Sequence, residues 1–214
     1  MKPELETPAA ATAVFPGDRL ALAERYVASL ATDGIERGLI GPREAPRLWD
    51  RHVLNCAVLQ EAVPQGASVA DVGSGAGLPG LVVAIARPDA SVTLVEPLLR
   101  RTTYLSLVVD DLELENVTVV RGRAEEIRRT VPRFDVVTAR AVAPLDRLAG
   151  WCLPLVARGG VLLAIKGSSA ADEVAEAARA VRKLGGQRPE VLELGRGIVD
   201  PPTTVVRVAR RDDA

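Results

Sequence analysis

The feature that most constrains this chain is the stretch Val69-Ala70-Asp71-Val72-Gly73-Ser74-Gly75-Ala76-Gly77-Leu78-Pro79-Gly80-Leu81. Val69 and Val72 suit a buried strand. The four glycines that follow let the backbone turn sharply and leave no side chains between it and a ligand. Pro79 fits the first turn of a helix over Leu81 to Ala86, where a missing N–H costs nothing. Strand, glycine-rich bend and helix in that order make a nucleotide site at the carboxyl edge of a parallel sheet.

Two nucleotide classes compete for this bend. Gly75-x-Gly77-x-x-Gly80 satisfies the dinucleotide pattern, a weak signal when it stands alone. The longer form, Asp71-x-Gly73-x-Gly75-x-Gly77, resembles motif I of S-adenosylmethionine-dependent methyltransferases. Ligand charge separates the two. A dinucleotide brings a pyrophosphate, which an acidic neighbour repels, whereas S-adenosylmethionine brings an ammonium and a sulfonium, which Asp71 favours. The plainer alternative is that Asp71 caps the turn through backbone hydrogen bonds.

From Ser68 onward strands and helices alternate, the pattern of a parallel sheet covered on both faces. Strands are predicted at Val69–Val72, Ser91–Glu96, Val117–Arg121, Phe134–Ala139, Gly160–Lys166, Glu190–Leu194 and Thr203–Ala209. Helices are predicted at 81–86, 98–111, near 124–129, about 145–156, and from Ala170 to Leu184, where Gly185-Gly186 stops the last. The fold class is therefore α/β: a doubly wound, Rossmann-like sheet of seven strands, the last antiparallel, of the class I methyltransferase type. The closing hairpin is what separates it from a dinucleotide dehydrogenase.

Upstream, residues 1–17 read as a flexible tail and residues 18–62 as a helical appendage to a cofactor-binding domain spanning 63–214. In the appendage, Asp18 can cap a helix through Leu20, Leu22, Ala23, Tyr26, Val27 and Leu30. A second helix is predicted from Pro46 to Leu59, with Leu48, Val53, Leu54, Ala57 and Val58 toward the sheet and Arg47, Asp50, Arg51 and Asn55 facing elsewhere. Aromatics are only 3% of the chain, so the core must be aliphatic. Cys56 and Cys152 sit in apolar surroundings and read as buried thiols, and a single histidine, His52, excludes a multi-histidine metal site. With no long apolar run and an acidic, Pro-bearing start (Met1 to Pro8), the expectation is a cytoplasmic protein without a membrane span.

Further site residues follow from the strand ends. Glu96 closes the second strand about 20 residues beyond the glycines, where a carboxylate can accept both hydroxyls of an adenosine ribose. After the third strand, Gly122-Arg123-Ala124-Glu125 abuts the adenine position: Ala124 can offer its N–H, and Glu125 can help cap the next helix. Arg140 ends the fourth strand at the middle of the carboxyl edge. It can hold a phosphate or base, order the cofactor pocket, or form a structural ion pair.

These residues together identify a resemblance. Trp49-Asp50-Arg51-His52-Val53-Leu54, the Asp71–Gly80 stretch, Glu96 with Arg100-Arg101, Arg123-Ala124-Glu125-Glu126, Arg140-Ala141 and Lys166-Gly167 resemble the bacterial 16S ribosomal RNA guanine-N7 methyltransferase G family, also called glucose-inhibited division protein B. The resemblance runs from about residue 20 to the C-terminus. It implies a cofactor site at Gly73, Leu78, Ala124, Glu125 and Arg140, with Glu96 beside them. Asp71, Gly75 and Gly77 join that set from the glycine motif itself. The resemblance also implies methyl transfer to N7 of one guanine, guanine 527 of the 16S rRNA. Two departures stand out: Asn55-Cys56 where the family often has Asp-Ser, and Ala76 where proline is common.

Guanine N7 carries a lone pair and no proton, so it can attack the sulfonium methyl without a general base. The enzyme's task is then alignment. This suits a chain with no evident nucleophile, and the catalytic candidates reduce to Arg140, Lys166 and His52. A cytosine C5 enzyme would need a nucleophilic Cys at Thr138-Ala139-Arg140-Ala141. Asp200-Pro201-Pro202-Thr203 mimics an amine-methylating turn but lacks the aromatic, and it is read as a hairpin loop. With a net charge of -1, RNA contact must be local. The RNA candidates are Arg47, Arg51, His52, Arg100, Arg101, Arg140, Arg147 and Lys166. A second cluster, Arg121, Arg123, Arg128, Arg129 and Arg133, is either an RNA contact or a solvated face. The expected partner is 16S rRNA in the small ribosomal subunit or an assembly intermediate, met by a monomer. A methyltransferase for a small molecule or protein, a non-catalytic nucleotide-binding module and a dinucleotide oxidoreductase are the competing readings.

Overall fold

The computed structural model describes residues 5–140 and 143–212. Seven strands form one sheet: β1 (Ser68–Val72), β2 (Ser91–Glu96), β3 (Val117–Arg121), β4 (Phe134–Arg140), β5 (Val156–Ile165), β6 (Glu190–Leu194) and β7 (Thr203–Ala209). Their order is β3-β2-β1-β4-β5-β7-β6. Strands β1 to β5 pair in parallel, and β7 runs antiparallel to both β5 and β6. The strand order reverses between β1 and β4, the switch point at which such sheets open a ligand crevice. Asp200-Pro201-Pro202 lies in the connection of the β6–β7 hairpin, as the sequence predicts.

The predicted helices of the sheet region are present, and the main change is at the end of the helix predicted at about 145–156 and the start of the strand after it. α4 (Gly80–Ala86), α5 (Leu99–Asp111), α6 (Ala124–Ile127) and α8 (Ala170–Lys183) fall where expected. α7 (Leu145–Cys152) stops before the predicted 156. Pro154 lacks an N–H for an α-helical ladder, so Leu153–Leu155 tightens into a 3-10 turn and β5 begins at Val156 instead of Gly160.

The N-terminal part departs further. Where the sequence predicts a mobile tail, α1 (Ala10–Val14) delivers Ala11, Val14 and Phe15 into the core, because this stretch is apolar enough to be buried. Asp18 precedes α2 (Arg19–Ser29) but makes no capping bond. Its backbone is already helical, and its carboxylate pairs with Arg19 Nε at 3.3 Å. The predicted Pro46–Leu59 helix is a run of four short pieces. Pro42–Arg47 is 3-10, Leu48–Leu54 is a π-helical turn, α3 (Asn55–Ala57) is one α turn, and Val58–Ala62 is again 3-10. Pro46 falls inside the first of these pieces, the 3-10 turn. The buried face is nevertheless the predicted one, Leu48, Val53, Leu54, Ala57 and Val58. Asn55 turns inward, and its Oδ1 accepts the Thr203 hydroxyl at 2.5 Å.

One hydrophobic cluster joins these N-terminal helices to α4, α5 and one face of the sheet; a second, around Val137, Leu148 and Val181, fills the other face. Both cysteines are buried free thiols. Among the described residues, no helix is long and apolar enough to cross a membrane.

Candidate functional site

The chain leaves β1 at Val72 and enters the glycine bend, which other elements hold from three sides. From β2, the Val95 carbonyl accepts the N–H groups of Gly73 and Ser74 at 2.9 and 3.2 Å. From below, the Asp71 carboxylate accepts the Ser74 hydroxyl at 2.6 Å and the Gly80 N–H at 2.9 Å, both on Oδ2. From α2, the Tyr26 hydroxyl donates to the Ala76 carbonyl at 2.8 Å. Gly80 is packed so tightly that a Cβ would lie 2.4 Å from Leu94 Cδ2 and 2.7 Å from Asp71 Oδ2. Gly75 is the opposite case. Its φ is +61°, and a Cβ there would meet only the Gly73 carbonyl oxygen, at 3.8 Å, so the bend presents bare backbone to the space above it.

That space is a cleft of about 510 Å³ at the carboxyl edge, within the usual range of about 300–1,000 Å³ for small-molecule sites. Of the sequence-predicted residues, Gly73, Gly75, Glu96, Ala124, Glu125 and Arg140 line it, and so does Arg101. Asp71, Gly77 and Leu78 do not; they are buried beneath the bend. Asp71 thus acts on the bend from inside, in the manner of the capping alternative. Its Oδ1 is buried with no hydrogen-bond partner among the described residues. Burial pushes its pKa up to about 6, against the lowering pull of the Ser74 and Gly80 bonds and of the Arg140 charge.

Glu96 is buried to 1% exposure at the end of β2. Its Oε2 accepts the Gly75 N–H at 3.0 Å, and its Oε1 accepts the Leu98 N–H at 3.0 Å. Arg101 Nη1 approaches Oε2 at 3.5 Å. The short helix after β3 is capped by Glu126, whose carboxylate accepts the Arg123 N–H at 3.0 Å, and not by Glu125 as the sequence suggested. Glu125 is left free to line the cleft. Five lining residues were not anticipated: Leu39, Val95, Pro97, Leu98 and the half-buried Trp151. Trp151, one of only two tryptophans, carried a compositional signal in so aromatic-poor a chain.

Arg140, at the end of β4, donates through Nη1 to the Cys56 sulfur at 3.2 Å and meets His52 Nδ1 through Nη2 at 2.8 Å. The other imidazole nitrogen, Nε2, contacts Glu44 Oε2 at 2.8 Å. Burial lowers the His52 pKa, Glu44 opposes the shift, and Arg140 adds to it. Burial raises the Cys56 thiol, with Arg140 pulling the other way. Beyond Arg140 lies a second cavity of about 430 Å³, bounded also by Ala143, Pro144, Ile165, Lys166, Gly167 and Glu173. Lys166 is not free there: its ammonium donates to the Ala143 carbonyl and to Glu173 Oε2, each at 2.7 Å. Ala141 of the Arg140-Ala141 pair lies outside the described residues.

Arg47, Arg51, Arg100 and Arg147 are exposed, as are Arg121, Arg123, Arg128, Arg129 and Arg133. Arg51 is paired with Glu44 at 3.3 Å. A larger cavity of about 600 Å³ between α2 and α5 contains none of the predicted site residues. No group of three or more His, Cys, Asp or Glu among the described residues could hold a metal ion.

The chain matches the family model for rRNA small subunit methyltransferase G over residues 19–199. It is 63% identical to the ribosomal RNA small subunit methyltransferase G of Salinispora tropica, over 97% of this chain and 87% of that protein. It is 62% identical to the same-named protein of Renibacterium salmoninarum, over 93% and 92%. Among solved structures, a precorrin-6y C5,15-methyltransferase of Geobacter metallireducens aligns with a TM-score of 0.55 at 15% identity, over 81% of this chain and 91% of that one. A ribosomal protein L11 methylase of Lactobacillus delbrueckii aligns with a TM-score of 0.55 at 15% identity, over 74% and 77%. At such identities these two establish the class I methyltransferase fold alone.

Proposed function

The chain belongs to the rRNA small subunit methyltransferase G family, and we propose that it transfers a methyl group from S-adenosylmethionine to N7 of one guanine in 16S rRNA. The observation that carries this reading is the position of Arg140, which borders both the glycine-lined cleft and the second cavity. One compartment suits the methyl donor and the other a base, with a single guanidinium between them.

The residues present fit the donor. The bare face at Gly75 admits a ligand against the backbone, and Glu96 offers a carboxylate beside it. Gly73, Gly75, Glu96, Ala124, Glu125 and Arg140 would hold it, with Leu98 and Trp151 as apolar walls. Bound there, S-adenosylmethionine supplies an electrophilic methyl carbon on a sulfonium. The chain's part is to hold the donor and the purine in line and keep them close.

Among the described residues, the imidazole, the Lys166 ammonium and the two thiols are not available as base or nucleophile. His52 is engaged at both nitrogens, Lys166 is held by Glu173, and Cys56 and Cys152 are buried thiols shifted upward. Guanine N7 needs neither group, because it has a lone pair and no proton to lose. That favours N7 over an exocyclic amine or a carbon. The exposed arginines Arg47, Arg100 and Arg147 are among the candidates for holding phosphates. We take the substrate to be rRNA in the small subunit or an assembly intermediate, and the enzyme to be a cytoplasmic monomer.

The test is a nucleoside map of 16S rRNA from cells with and without this chain. One 7-methylguanosine, at guanine 527, should disappear with the gene and return with it. An unchanged map, with methyl transfer found instead to a metabolite or a protein, would overturn the proposal.

A further inference from the structure

Arginine has only donors. Where Arg140 Nη2 meets His52 Nδ1 at 2.8 Å, the imidazole nitrogen must therefore be the acceptor. The ring proton then sits on Nε2 and is donated to Glu44 Oε2 at 2.8 Å. Glu44 in this way fixes the one tautomer that can hold Arg140, as carboxylates fix histidines in many sites. His52 and Cys56 are four residues apart and reach the same guanidinium, one at each terminal nitrogen. The irregular helix of the N-terminal segment thus grips the strand-end arginine across 88 residues of sequence.

We propose that His52 is a positioning residue: neutral, and locked in one tautomer by Glu44, it holds the Arg140 guanidinium at the wall between the cofactor cleft and the second cavity. The inference rests on the reading of that cleft as the site of methyl transfer. A protonated His52 would present an N–H to an N–H and release Arg140, while its bond to Glu44 would survive as an ion pair. The charged and titratable groups around the imidazole are Glu44 and Arg51 on its own segment, Arg140 from β4, the Cys56 thiol, and Asp71 on β1 beside Arg140. Activity should accordingly fall on the acid side, as pH drops through a His52 pKa that lies below the ordinary value of about 6.5.

The experiment is steady-state methyl transfer from S-adenosylmethionine to purified small ribosomal subunits across this pH range, with calorimetric binding of S-adenosylhomocysteine. His52→Ala should lower kcat about tenfold, a change of about 1.4 kcal/mol in barrier, with the cofactor KM within about threefold. His52→Asn, which keeps an acceptor for Arg140, should recover most of the rate and lose the acid limb. Glu44→Gln should move the limb to lower pH, because the charge that supports the imidazolium is gone. Wild-type kinetics in His52→Ala, or an acid limb that persists in His52→Asn, would overturn the inference. The two readings separate at Arg140→Ala. Full activity in that variant overturns the cleft itself, whereas an impaired Arg140→Ala beside an unimpaired His52→Ala overturns only the role of His52.

Discussion

Glu96 Oε2 accepts the Gly75 N–H at 3.0 Å, so the carboxylate at the end of β2 fastens the bend as well as facing the cleft. The other oxygen holds the Leu98 N–H at 3.0 Å. Glu96→Ala should therefore loosen the bend and remove a ligand contact together. Leaving one such donor unmatched costs about 1–3 kcal/mol. Affinity for S-adenosylhomocysteine, measured by calorimetry, should fall at least about tenfold, and an affinity equal to wild type would remove Glu96 from the site.

Gly80 is a packing glycine. Its missing Cβ would fall 2.4 Å from Leu94 Cδ2 and 2.7 Å from the Asp71 carboxylate that the bend depends on. Gly80→Ala should destabilise the fold by about 1–3 kcal/mol through overpacking. Urea unfolding checks this; a midpoint unchanged from wild type would contradict the packing described.

Asp71 gives a pH signature. Burial raises its pKa to about 6 from an unfolded value of 3.8. The folded state therefore holds a proton that the unfolded state has released. Stability contributed by this group falls as pH rises from about 4 to about 6, and the cost levels off above that at about 3 kcal/mol. Asp71→Asn cannot titrate. The stability difference between wild type and variant should shift by that amount across the window, toward the variant at neutral pH, and a pH-independent difference would show that Asp71 is ionised throughout.

Lys166 and Glu173 act as one unit. The pair is 2.7 Å apart; Lys166 also holds the Ala143 carbonyl, and Glu173 the Leu145 N–H at 2.9 Å. Together they tether the start of α7 to the end of β5. Lys166→Met and Glu173→Gln should impair turnover to similar degrees, and the double variant should be little worse than either. Additive losses would mean that Lys166 works on substrate independently.

The architecture was legible because its signals are local. The bounds of β2, β3, β6 and β7 follow from β-rich runs between turn residues. The glycine bend, Glu96 and Arg140 follow from their places at strand ends. What escaped the sequence was long-range or competitive. Nothing near His52 announces Arg140, which the sheet brings to it. Lys166 looked available because its partner Glu173 lies on the next helix. The N-terminal tail looked mobile because its few apolar residues gain burial only once α2 and the sheet are in place. Pro154 broke a helix that hydrophobic spacing alone would have continued.

The most direct measurement follows a labelled methyl group from S-adenosylmethionine into purified small ribosomal subunits, with wild-type protein and with Gly75→Val. A β-branched side chain at φ +61° is strained and would also fill the bare face of the bend. After digestion of the RNA to nucleosides, the label should appear in 7-methylguanosine with wild type and nowhere with the variant, which should remain folded by circular dichroism. Label in another nucleoside, or undiminished transfer by Gly75→Val, would contradict the assignment of the cleft and its chemistry.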